Sequence, residues 1–112
     1  MPIQSKSFLF QDQIEWESAG AGVQRQVMGY DEQIMLVKVN FLEGALGPIH
    51  SHPHSQTTYV VSGIFEFNVD GEIKIVKEGD GIYISPSLSH GTKCLEAGIL
   101  IDVFSPMRED FI

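Results

Sequence analysis

The 112-residue sequence predicts an all-β fold, a jelly-roll barrel or sandwich of short antiparallel strands. Three observations predict it. β-Branched and apolar runs return at short intervals, turn-forming Gly, Asp and Pro residues separate them, and no long segment carries capped helical periodicity.

The elements follow in order. The N-terminal third, with Trp16 and Val23 to Met28, is expected to add edge strands. Ile34-Met35-Leu36-Val37-Lys38-Val39-Asn40-Phe41 is too rich in Val and Ile for a helix, alternates in part, and stops at Glu43-Gly44. Thr57 to Ser62, Ile64 to Val69 and Glu72 to Lys77 are the next three strands. Asp70-Gly71 joins the last two and predicts a type I′ hairpin turn. Gly79-Asp80-Gly81 turns the chain into Ile82-Tyr83-Ile84, which Ser85-Pro86 ends. Glu96-Ala97-Gly98 separates Gly91 to Leu95 from Ile99 to Phe104, and Ser105-Pro106 leads into a short tail or single turn, Met107 to Ile112.

Length and a hydrophobic fraction of 43% suit one globular domain over residues 1–112. The net charge is −8, from 15 acidic and 7 basic residues with no basic cluster, so nucleic acid is excluded as a partner. No apolar run reaches the roughly 18 residues of a membrane span, and no apolar signal core follows Met1-Pro2-Ile3-Gln4-Ser5-Lys6. The expectation is a cytoplasmic protein without a membrane partner. Cys94 is the only cysteine and reads as a buried thiol. Arg25 and Arg108 are the only arginines, so planar recognition of a carboxylate has few candidates.

All 4 histidines lie in two places, His50-Ser51-His52-Pro53-His54 and His90. Residues two apart on extended backbone share a face, so His50 and His52 can present two imidazoles to one ion. Gln56 can add an amide oxygen, and His90 must arrive from a strand distant in sequence. This pattern points to a single divalent metal held by His50, His52, His90 and Gln56. Imidazole and amide donors accept nickel, iron, manganese, cobalt or zinc, so the ion is not specified.

The same residues carry a family resemblance. Gly44, His50, His52, Gln56 and Gly63 resemble the first cupin motif, at residues 44–63, and Gly79-Asp80 through Pro86 to His90 resembles the second, at 79–90. The resemblance implies a double-stranded β-helix with the metal inside the barrel, usually in a homodimer. Gln56 stands where the motif usually has Glu, and one residue fewer separates Pro86 from His90. Without a carboxylate ligand the ion keeps its full positive charge and is a stronger Lewis acid. Oxygen-activating iron sites more often include a carboxylate, so the set tilts away from a dioxygenase. His54 has no counterpart among the motif's ligands and is assigned to the rim.

Alternation in Ile99-Leu100-Ile101-Asp102-Val103-Phe104 puts Asp102 on one face with Leu100 and Phe104. That face is either solvent or the barrel interior. Arg108 is either a surface ion-pair partner of Glu109 or Asp110, or a clamp for an anionic substrate. Leu100 to Phe111, Met28-Gly29-Tyr30-Asp31 and the His50 to His54 segment resemble a narrower group, the pectin-degradation cupins of the KdgF type. These convert 4,5-unsaturated uronates from pectin or alginate into linear 5-keto-4-deoxyuronate. The resemblance implies His50, His52, Gln56 and His90 as ligands, Asp102 as acid or base, Arg108 near the substrate carboxylate, and Phe104 packing the sugar. A cupin dioxygenase and a non-catalytic sugar-binding or sensory cupin are the alternatives.

Overall fold

A computed structural model describes residues 3–112; Met1 and Pro2, where the segment read as lacking a signal core begins, lie outside the described residues. The strands are β1 (Glu17–Gly20), β2 (Val23–Asp31), β3 (Ile34–Phe41), β4 (Leu46–His50), β5 (Ser55–Val60), β6 (Ile64–Val69), β7 (Glu72–Lys77), β8 (Gly81–Ile84), β9 (His90–Glu96) and β10 (Gly98–Ser105). Short 3-10 turns occupy Gln11–Gln13 and Glu109–Phe111. No helix among the described residues is long and apolar enough to cross a membrane.

Asp70 and Gly71 both take positive φ, 50° and 88°, as a type I′ turn requires, and the turn pairs Val69 with Glu72. Strand pairing builds two antiparallel sheets, a six-stranded one ordered β1-β2-β3-β10-β5-β8 and a four-stranded one ordered β4-β9-β6-β7. The sequence reading placed the N-terminal strands at an edge. β1 is an edge, but β2 lies inside the larger sheet, because its long alternating run pairs with β3 from Val23 opposite Phe41 to Asp31 opposite Ile34. β4 was not foreseen: Gly47 and Pro48 interrupt the apolar pattern, yet the segment pairs along β9.

The core lies between the sheets. From the larger sheet Met35, Val37, Val39, Phe41, Val60, Leu100 and Phe104 point inward, and from the smaller one Phe65, Phe67 and Cys94. Phe41 meets Phe65 edge to face across the gap, ring centres 5.3 Å apart. Cys94 is buried and unpaired, as its solitary place in the sequence implied. Toward one end the inward face changes from apolar to polar: Gln56 and Thr58 on β5 and Asp102 on β10 continue the inward rows begun by Val60 and Leu100. There the barrel holds a cavity rather than a filled core.

Candidate metal centre and cavity

β4 ends at His50 and β9 begins at His90, and the two residues pair across the ladder. Their approach depends on Gly91, where a Cβ would meet the Gly47 carbonyl oxygen and Ile49 Cγ1, each at 2.9 Å. A shift in register between Gly47 and His50 then aligns the two histidines. His52 lies in the loop beyond β4, which is tied down where the Ser87 amide donates to the His52 carbonyl at 2.8 Å. Ring centres lie 4.4 Å apart for His50 and His90, 4.9 Å for His52 and His90, and 5.6 Å for His50 and His52. One nitrogen from each of the three falls within 4.8 Å of the others.

The backbone orients two of these rings. His50 Nδ1 lies 2.7 Å from the Pro48 carbonyl and His90 Nδ1 2.9 Å from the Leu88 carbonyl. A carbonyl only accepts, so each Nδ1 carries the proton and each Nε2 keeps its lone pair for a metal. His90 Nε2 is buried with no hydrogen-bond partner among the described residues. Burial lowers the pKa of His52 and of His90 against hydrogen bonds to the Gln56 amide oxygen and the Leu88 carbonyl that raise them, and the nearby Arg108 charge lowers both further. Neutral imidazole, the form that binds metal, is therefore favoured.

Gln56 is oriented by its amide nitrogen, which lies 3.0 Å from Thr58 Oγ1 and 3.4 Å from Asp102 Oδ1. Its Oε1 is thereby left facing His52 Nε2 at 2.9 Å. His54 lies outside the three-histidine group, packing edge-on against the rings of His52 and Phe104.

Asp102 faces inward, the second of the two orientations left open by the alternation of its strand. Thr58 Oγ1 donates to its Oδ1 at 2.6 Å, so Gln56, Thr58 and Asp102 form one hydrogen-bonded chain. Burial raises the Asp102 pKa from 3.8 to about 6, although the bonds from Thr58 and Gln56 and the charges of Arg108 and His50 pull it down. His50, Gln56, His90, Asp102, Phe104 and Arg108 all line one cavity of about 440 Å³. His50 is exposed, so the metal pole opens to solvent. Phe104, 3% exposed, forms wall rather than rim, and its ring meets Phe111 at 5.9 Å.

Arg108 makes the ion pair with Asp110, which accepts from its Nε at 3.0 Å and from one terminal nitrogen at 2.8 Å, and its side chain also lines the cavity. The same bonds hold the Asp110 carboxyl below the usual carboxylate range. Sequence reasoning missed Thr58, which hydrogen-bonds Asp102, and the cavity-lining Arg25 and Phe111. The alternation of β5 puts Thr58 on the Gln56 face and would have found it; Arg25 and Phe111 needed the three-dimensional pairing of β2 and the path of the tail.

The cupin domain family matches residues 37–104. The chain is 38% identical over 109 residues to the pectin degradation protein KdgF of Dickeya dadantii (strain 3937), covering 96% of this chain and 99% of that protein. It is similar in structure to an RmlC-like cupin from Shewanella frigidimarina NCIMB 400, with TM-score 0.95 and 49% identity over 97% of this chain and 98% of the other. KdgF from Halomonas sp. superposes with TM-score 0.91 at 34% identity, over 96% of this chain and 100% of that one.

Proposed function

This chain belongs to the cupin family, and from that premise we propose that it is an enzyme of pectin breakdown that converts 4,5-unsaturated uronates, released by polysaccharide lyases, into linear 5-keto-4-deoxyuronate. The observation that carries the reading is the inward carboxyl of Asp102, joined through Thr58 to Gln56 in the cavity that His50, His90 and Arg108 also line. The relative from Dickeya dadantii named for pectin degradation supports the substrate class. The four neutral donors fit one divalent transition ion: His90 Nε2 is buried without a partner among the described residues, and Gln56 Oε1 is held toward His52. When bound, such an ion supplies positive charge against the negative charge that develops on a substrate oxygen.

The reaction is an isomerisation and needs no oxidant. A proton leaves the anomeric hydroxyl, the ring C–O bond breaks to give an enolate, and a proton is delivered to the adjacent alkene carbon to leave the ketone. Asp102 takes the first proton as carboxylate and returns one to carbon as acid. A pKa near 6 keeps both forms accessible close to neutrality. Thr58 aims the carboxyl by its 2.6 Å hydrogen bond. Arg108 holds the substrate carboxylate, and the Phe104 and Phe111 rings wall the site against water.

The test is loss of the ultraviolet absorbance of the substrate double bond, with dioxygen followed in parallel. Metal-loaded protein should speed the decay over a blank without consuming oxygen. Decay at the blank rate, or stoichiometric oxygen uptake, would sink the proposal, the latter in favour of a dioxygenase.

A further inference from the structure

The chain's two arginines, separated by 83 positions of sequence, converge on one ring. The Arg25 guanidinium carbon lies 3.8 Å from the Phe111 ring centre and that of Arg108 lies 4.4 Å from it. Both side chains line the cavity that holds His50, His90 and Asp102, and no lysine lines it among the described residues. In a protein of net charge −8, the fixed cationic side chains of this cavity are therefore these two arginines.

They differ in what is already bound. Asp110 engages Arg108 twice, through Nε and a terminal nitrogen. Arg25 donates only its Nε, to Glu17 Oε1 at 2.7 Å, and its terminal nitrogens have no hydrogen-bond partner among the described residues. Glu17 and the Phe111 face thus fix the Arg25 plane while leaving its outer donors for a ligand. The two guanidinium carbons are no further apart than about 8 Å, the sum of their distances to the ring centre. Because both arginines line the same cavity, a carboxylate seated there meets charge-assisted donors from each.

We propose that Arg25 is a second substrate-binding residue, sharing the uronate carboxylate with Arg108, and that Glu17 and Phe111 position it. The inference rests on the uronate reading for its ligand but not on turnover for its test.

Metal-loaded wild type, Arg25→Met and Arg25→Gln, matched in circular dichroism and metal content, are compared in two arms. Dissociation constants for galacturonate and for its neutral methyl ester are measured by ligand-observed NMR. The wild type should prefer galacturonate, and either variant should weaken it by about ten-fold or more while leaving the ester unchanged. In the kinetic arm, KM for the unsaturated uronate should rise by a similar factor with kcat changed less than about three-fold. Unchanged galacturonate affinity in both variants, an equal loss for the ester, or a wild type indifferent to the carboxylate would overturn the role of Arg25. A wild type without turnover would overturn the proposed reaction, and the binding arm would still decide on Arg25.

Discussion

Replacing Asp102 with Asn should stabilise the metal-free protein increasingly as pH rises. Burial lifts the carboxyl from 3.8 in the unfolded chain to about 6 in the folded one, so the folded state binds the extra proton. A carboxyl shifted in this direction gives full stability below the unfolded value and loses it as pH climbs through the folded one. That gap corresponds to a cost of up to about 3 kcal/mol at pH 7.5, most of which develops above pH 4. Asn preserves the shape, and because Thr58 and Gln56 both donate to Oδ1, its amide oxygen can accept both bonds. The assay is urea unfolding of both proteins in chelator across pH 4 to 7.5. Burying neutral His52 and His90 makes acid unfavourable for both proteins, and this contribution cancels in the difference. The Asn variant should gain on the wild type by about 2 kcal/mol or more over that range. A difference that stays flat with pH, or a wild type more stable at pH 7.5, would refute the placement of a charged carboxylate in a desolvating wall.

His50→Ala and His90→Ala should each lose metal in elemental analysis while keeping the β-sheet circular dichroism; full retention of metal would remove them as ligands. Gly91→Val puts a side chain against the Gly47 carbonyl and Ile49, separating β4 from β9, and should lower metal affinity with Asp102 untouched. Equal affinity by competition with a chelator would show that the glycine does not set the site. Phe65→Ala empties a fully buried position opposite Phe41 and should cost about 3–5 kcal/mol in urea unfolding, whereas a loss under about 1 kcal/mol would mean the sheets close over the gap.

Much of this was legible in sequence because local chemistry decided it. Asp70-Gly71 needed only backbone sterics, and the resemblance drawn from the two histidine motifs agrees with a relative 38% identical. Alternation grouped Leu100, Asp102 and Phe104 correctly but not the side they face, because which face of a strand is covered depends on the opposing sheet. The interior place of β2 and the existence of β4 were hidden for the same reason: both are fixed by partners far along the chain, β3 and β9. Arg25 illustrates the limit most sharply. Nothing near it in sequence marks it as a cavity residue, and only the return of the tail sets Phe111 beneath it.

The most direct test of the account is the NMR spectrum of the product formed from unsaturated uronate by wild type and by Asp102→Ala at matched metal content. Wild type should yield the linear 5-keto-4-deoxyuronate, and the variant should retain its metal and leave the substrate at the uncatalysed rate. Equal product from both proteins would contradict the role assigned to Asp102 and with it the proposed chemistry of the cavity.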